Sequence, residues 1–204
     1  MPTRSPLHVT GVILAGGRAT RFAGAPKGLA RVGGSRIVDR VAEALGGCDE
    51  LLVVANDDEA TRWLPGVPVA RDVRPGLGAL GGLHTAISHA REAALVVAWD
   101  MPFVGASLLG ELRALASGAY DAVVPCGPAG AEPLCALYTR SCLHVAERLL
   151  SAGERRARAL SEAVPTWWME CEDVARHGDP RTLFFSVNTP EDLTAAEVVC
   201  HGRA

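Results

Sequence analysis

The sequence predicts an α/β fold, a three-layer α/β/α sandwich built on a mainly parallel sheet. Several short segments are apolar throughout rather than in alternation, as strands covered on both faces are. These segments alternate with stretches of helical spacing, the pattern of strand–helix–strand units. Four of them also run directly into glycine or a polar residue, the place where ligands bind in such sheets.

The elements follow in order. Val9–Leu14 is an apolar run entering Gly16-Gly17, which reads as a buried strand and its loop. Ser35 stands as the cap of a helix whose apolar positions are Ile37, Val38, Val41, Ala42 and Leu45, with Gly46-Gly47 closing it. Leu51–Ala55, Val67–Ala70 and Ala94–Trp99 read as the second, third and fourth strands. Helical spacing over Leu83–Ala93 and Ser107–Leu115 flanks the fourth. Asp121–Pro125 and Leu134–Tyr138 predict further strands, the latter followed by a helix around Cys142–Leu150. Trp167-Trp168-Met169 reads as a strand, and Thr189-Pro190-Glu191-Asp192 opens a last helix with proline and acids in its first turn.

Composition narrows the function classes. The 204 residues carry a net charge of −3, with 49% hydrophobic and 21% charged residues, which excludes disordered, collagenous and coiled-coil classes. A single domain over 1–204 is expected, with chain enough for a core without staples. The longest apolar run, Ala93–Trp99, falls far short of the roughly 20 residues of a membrane helix. Cys48, Cys126, Cys135, Cys142, Cys171 and Cys200 show no paired spacing, so reduced thiols are expected. Arg4 before the apolar Leu7–Ala15 faintly imitates a signal peptide, but cleavage there would remove the first strand. A cytoplasmic protein is the expectation, with a monomer as its form.

Charge is unevenly placed. The first 38 residues hold no Asp or Glu but carry Arg4, Arg18, Arg21, Lys27, Arg31 and Arg36, which leaves the remainder at −9. Lys27 is the only lysine in the chain. It lies in Leu14-Ala15-Gly16-Gly17-Arg18-Ala19-Thr20-Arg21-Phe22-Ala23-Gly24-Ala25-Pro26-Lys27-Gly28. Glycines let backbone N–H groups approach phosphate oxygens, and Arg21 and Lys27 add charge there. The alternative is a glycine-rich turn with a solvated basic rim. Pro26 before the lysine and Gly28 after it exclude a Walker A loop.

Asn56, Asp72 and Asp100 stand at the ends of the second, third and fourth strands. A carboxylate after such a strand suits Mg²⁺, which takes one or two carboxylates and completes its shell with phosphate and water. Asp100 as the cap of the next helix is the alternative. Gly76-Leu77-Gly78-Ala79-Leu80-Gly81 matches G-x-G-x-x-G, with Asp100 19 residues further on, but follows the wrong strand and reads as a loop that fits the pattern by chance. His84 and His89 point about 140° apart on a helix and support no zinc site. No G-x-S-x-G anchors a hydrolase triad. Glu154–Arg158 reads as a solvated helix face, and the acidic remainder argues against a nucleic-acid partner.

Taken together these segments resemble the molybdenum cofactor guanylyltransferases, nucleotidyltransferases with a Rossmann-like fold. The resemblance rests on Leu14-Ala15-Gly16-Gly17 with Arg21 and Lys27, Pro75–Leu83, Asp100-Met101-Pro102-Phe103, Glu132-Pro133-Leu134 and Asn188-Thr189-Pro190-Glu191-Asp192-Leu193, and spans nearly the whole chain. It implies transfer of GMP from GTP to the phosphate of molybdopterin with release of pyrophosphate, and molybdoenzyme assembly proteins as partners. A nucleotide-binding half would cover about 7–103 and an acceptor-binding half about 104–200. Leu14, Ala15, Gly16, Gly17, Asn56, Asp72, Gly81 and Gly82 would meet the nucleotide, Arg21 and Lys27 the triphosphate, and Asp100 the Mg²⁺; Asn188 would lie on the pterin side. Two positions depart from the family: Pro26 where aspartate is common, and Ser186 where a second asparagine is. The first bears on nucleotide identity, the second on the acceptor. Cytidylyl transfer to molybdopterin, nucleotidyl transfer to a sugar phosphate, and a nucleotide-binding module without turnover are the other readings.

Overall fold

A computed structural model describes residues 7–16, 21–22, 25–116 and 119–202. In chain order its main elements are β1 (Val9–Leu14), α1 (Ile37–Ala44), β2 (Glu50–Val54), β3 (Val69–Ala70), α2 (Gly78–His89), β4 (Ala93–Ala98), α3 (Ala106–Ala114) and β5 (Ala122–Gly127). Then come β6 (Gly130–Ala131), β7 (Cys135–Thr139), α4 (Cys142–Ser151), α5 (Arg158–Ala163), β8 (Thr166–Met169), α6 (Cys171–Val174), α7 (Pro180–Leu183) and α8 (Pro190–His201). Two short hairpins, Arg21–Phe22 with Ala25–Pro26 and Arg31–Val32 with Ser35–Arg36, lie between β1 and α1.

The sheet runs β6-β5-β7-β4-β1-β2-β3, with β8 also on β5. β1 is parallel to β2 and β4, with Val12 between Leu52 and Val96. β7 is inverted within the sheet, antiparallel to both β4 and β5, the edge strand β6 is also antiparallel to β5, and β8 is parallel to β5. The expected mainly parallel α/β/α sandwich is therefore present.

Successive side chains explain why the strands lack alternation. Val9 and Ile13 of β1, Leu95 and Val97 of β4 and Leu137 of β7 face one layer with Ile37, Val41, Leu108 and Leu112 of α1 and α3. Val12, Leu14, Val96 and Tyr138 face the other, against Leu83 and Ile87 of α2, Val145 of α4 and Leu160 of α5. Both faces are core, so these positions are apolar; the exception inside β1, Thr10, donates its hydroxyl to Glu50 at 2.7 Å.

Three local expectations are corrected. Ser35 does not cap α1: it pairs in the hairpin, and Arg36 takes the N-cap position with no side-chain bond to the helix. Its guanidinium instead donates to Asp39 in the first turn at 2.7 Å. The glycine pattern at 76–81 is not a loop throughout, because α2 begins at Gly78 and runs twelve residues. Glu154–Arg158 is not a helix face either; residues 154–157 are irregular chain and Arg158 opens α5. At the C-terminal end Thr189 caps α8 in a reciprocal box with Asp192.

Candidate active site

β1 sits where the strand order reverses: β2 and β3 lie to one side of it and β4 to the other. At such a switch point the connections leave in opposite directions and open a crevice beyond the strand ends. A cavity of about 600 Å³ lies there, lined by Leu14 at the end of β1 and Gly16 beyond it, Asn56 after β2, Asp72 after β3 and Asp100 after β4. Lys27 and Gly82 complete the sequence-predicted set on its wall.

Lys27 and Asp100 are buried at its base, 8% and 7% exposed. The ammonium donates to Asp100 Oδ2 at 2.5 Å and to Asn188 Oδ1 at 2.8 Å. The backbone fixes the third partner, because Val187 N–H donates to the Asp100 carbonyl at 2.8 Å and Asp192 accepts from the N–H of Asn188 at 2.9 Å. Asn188, expected on the acceptor side, thus meets the lysine of the phosphate loop directly. Towards the far wall Asn56 and Asp72 bind reciprocally: Nδ2 donates to Asp72 Oδ2 at 2.8 Å, and the Asp72 N–H donates to Asn56 Oδ1 at 3.0 Å.

Not every predicted residue lines the cavity. Ala15 is buried and its N–H completes the sheet on Val54 O. Gly81 is a packing glycine, since a Cβ there would stand 2.9 Å from Leu77 Cβ. Gly17 and the side chain of Arg21 lie outside the described residues.

Two contributors escaped the sequence reading. Trp99 lines the cavity, fully buried and stacked on Trp63 with centroids 4.9 Å apart. Gly28 allows this, because a Cβ there would lie 2.3 Å from Trp99 Cε3. The tryptophan's place directly after an apolar strand was the available signal. Arg155 is the second: it lines the cavity, and its carbonyl accepts from Leu80 N–H at 3.0 Å. That bond takes one of the unpaired donors at the start of α2. Among the described residues no acceptor meets the N–H groups of Gly78 and Ala79, which also line the cavity and suit an anion. Gly78 adopts φ +67° with the Arg155 carbonyl 2.9 Å from where a Cβ would be, so glycine is required there.

A buried ammonium on a buried carboxylate, glycine-rich backbone and a helix start with unengaged N–H groups suit an anionic ligand. Residues 11–167 match the MobA-like NTP transferase domain. The chain belongs to that family. It is by that membership a nucleotidyltransferase. The molybdenum cofactor guanylyltransferase of Desulfosudis oleivorans is 34% identical over 193 residues, 93% of this chain and 94% of the relative. The probable molybdenum cofactor guanylyltransferase of Pelotomaculum thermopropionicum is also 34% identical, over 95% of this chain and 94% of its own. Among solved structures, the molybdopterin-guanine dinucleotide biosynthesis protein A of Archaeoglobus fulgidus is similar with a TM-score of 0.79 at 27% identity, covering 95% of this chain and 99% of that one. The 2-C-methyl-D-erythritol 4-phosphate cytidylyltransferase of Thermus thermophilus shares the fold, at 18% identity and a TM-score of 0.66 over 96% of this chain and all of that one.

Asp100 also fits a divalent cation. No group of three or more ligating side chains occurs among the described residues. A single buried carboxylate beside a phosphate cavity is nevertheless what Mg²⁺ requires when phosphate and water supply the rest. The Lys27 ammonium compensates the Asp100 charge.

Proposed function

We propose that this chain transfers GMP from GTP to the phosphate of molybdopterin, releasing pyrophosphate and forming molybdopterin guanine dinucleotide. The observation that carries the reading is the Lys27–Asp100–Asn188 cluster, which ties the phosphate loop, the end of β4 and the start of α8 together at the base of one cavity. The names of the relatives supply the acceptor. The nucleotide takes the 7–103 half of a single domain, and the acceptor the 104–200 half. No described helix is long and apolar enough to cross a membrane. The cytoplasm is its proposed compartment. It acts as a monomer, with nucleic acid excluded as a partner and molybdoenzyme assembly proteins receiving the product.

The residues divide the work. The Asp72 carboxylate, held through Oδ2 by Asn56, keeps Oδ1 for the adjacent N–H donors of guanine. Leu14 and Gly82 flank the base and ribose, while Gly16, Gly17, Gly78 and Ala79 offer backbone N–H groups to the phosphates. Asp100 would hold Mg²⁺, which when bound would supply charge neutralisation and orientation at the phosphates. The acceptor phosphate is already anionic at neutral pH, so the protein needs no general base and works by alignment and electrostatics. Lys27 leaves Asp100 for a phosphate oxygen as the triphosphate enters, and Arg21 adds positive charge on the leaving pyrophosphate. Asn188 orients the lysine from the acceptor side.

The test is a thermal-shift titration with ATP, CTP, GTP and UTP, each with and without Mg²⁺, followed by pyrophosphate release with molybdopterin. Selective stabilisation by Mg·GTP and acceptor-dependent release are expected. A preference for CTP moves the activity to cytidylyl transfer, in keeping with Pro26. No response to any nucleotide refutes the site.

A further inference from the structure

A second cavity, of about 410 Å³, opens on the other side of Asp100 and shares Ala98, Asp100 and Leu134 with the first. Its wall adds Glu132, Arg156, Arg158 and Ser186. Asp100 therefore divides two chambers, one of which takes the nucleotide.

Glu132 is the unusual member of this wall. Its backbone is fixed on both sides, with the N–H donating to Pro125 O and the carbonyl accepting from Cys135 N–H, each at 2.9 Å. Its side chain is half-buried, yet no hydrogen bond or ion pair reaches its carboxylate among the described residues. The neighbouring arginines are engaged elsewhere, Arg156 with Glu154 at 2.7 Å and Arg158 with Glu162 at 2.8 Å. Burial with nothing to offset it pushes the Glu132 carboxyl up to about 7. A fold does not hold a carboxylate in that state without cost, and in a cleft such a group marks a binding function.

We infer that Glu132 selects the acceptor, its two carboxylate oxygens receiving the adjacent ring N–H and amino donors of a 2-amino-4-oxo fused pyrimidine while the acceptor's phosphate lies at the Asp100 end of the same chamber. The inference rests on the proposed guanylyl transfer and names the residue that recognises the pterin. A phosphate is repelled by this carboxylate, so the phosphate and the ring enter in one orientation. A sugar phosphate lacks the paired N–H donors and leaves Glu132 unsatisfied.

The test compares wild type, Glu132→Gln and Glu132→Asp in steady-state transfer, varying GTP and molybdopterin separately, with the Mg·GTP thermal shift measured alongside. Glutamine keeps the shape but replaces one acceptor oxygen with a donor. The expected result is at least a tenfold rise in KM for molybdopterin, with the GTP KM and the Mg·GTP shift within twofold of wild type. Glu132→Asp, which retains the carboxylate, falls between the two. An unchanged molybdopterin KM in Glu132→Gln overturns the assignment. Equal loss of GTP binding also overturns it and places Glu132 with the nucleotide. Wild type that binds Mg·GTP but transfers nothing to molybdopterin overturns the underlying reading and this one with it.

Discussion

Replacing Lys27 with methionine isolates the contact at the centre of the site. The side chains of Lys27 and Asp100 are each only 10% exposed, and the ammonium lies 2.5 Å from the carboxylate. Removing one member of such a pair leaves an uncompensated charge and typically costs about 3–5 kcal/mol. Here the carboxylate borders an open cavity of about 600 Å³ that admits water, so the loss should fall to about 2–3 kcal/mol. Lys27→Met combined with Asp100→Asn removes both charges and should be about 1–2 kcal/mol more stable than Lys27→Met alone. Urea unfolding of the four proteins without nucleotide or divalent ion measures it.

The same variant has a second readout of opposite sign. In the wild type the ammonium competes with a divalent ion for Asp100, so Mn²⁺ alone binds weakly and stabilises little. In Lys27→Met the carboxylate is released. Mn²⁺ should then bind at least about tenfold more tightly, and stabilise by about 1.4 kcal/mol more at concentrations above both Kd values, even though Mg·GTP affinity falls. Calorimetric titration with Mn²⁺ checks this directly. A loss below about 0.5 kcal/mol in Lys27→Met, or equal Mn²⁺ affinity in the two proteins, refutes the competition argument.

Asp100→Ala should abolish pyrophosphate release while leaving the circular dichroism spectrum unchanged, and Lys27→Ala should lower kcat/KM by a factor of about 10². Gly28→Ala drives a Cβ to 2.3 Å from the Trp99 ring, and should cost about 1–3 kcal/mol in urea unfolding with a shift in tryptophan emission. Glu132 gives a pH signature: its carboxyl titrates near 7 in the fold against an ordinary 4.5, so the folded state holds the extra proton and stability is lost as pH rises through about 7. Glu132→Gln should therefore match wild type at pH 4 and exceed it at pH 8 by about 1–2 kcal/mol, after allowance for its partial exposure.

Legibility in the sequence followed the range of the interactions. β1, β2, β4 and β7 were readable because burial on both faces makes a strand apolar along its whole length, a local signal. The strand-end residues Asn56, Asp72 and Asp100 were readable for the same reason. The start of α2 was not, because Gly78, Gly81 and Gly82 have poor helix propensity, and their presence answers a tertiary demand. Gly78 must clear the Arg155 carbonyl and Gly81 must clear Leu77. Arg155 lies 75 residues after Leu80, whose N–H it caps, so no window of sequence contains the pair. Asn188 was placed by resemblance, whereas its bond to Lys27 joins residues 161 apart. The cavity role of Glu132 was invisible because only the fold shows that its carboxylate lacks a partner.

The inverted strand explains how one carboxylate serves two chambers. A parallel strand beside β4 would deliver its entering loop to the opposite edge of the sheet, away from the switch point. β7 runs the other way, pairing Cys135 with Val97 and Thr139 with Ala93. Its entering loop therefore arrives where β4 ends, and Leu134 O accepts from Ala98 N–H at 2.8 Å, two residues before Asp100. On the other flank of β4 lies parallel β1, and Lys27 donates to Asp100. Asp100 thus meets Lys27, and the loop entering β7 shares the wall of the second cavity with it. A parallel neighbour would keep the first cavity and lose the second. The antiparallel insertion is the topological feature that brings a second cavity to the same carboxylate.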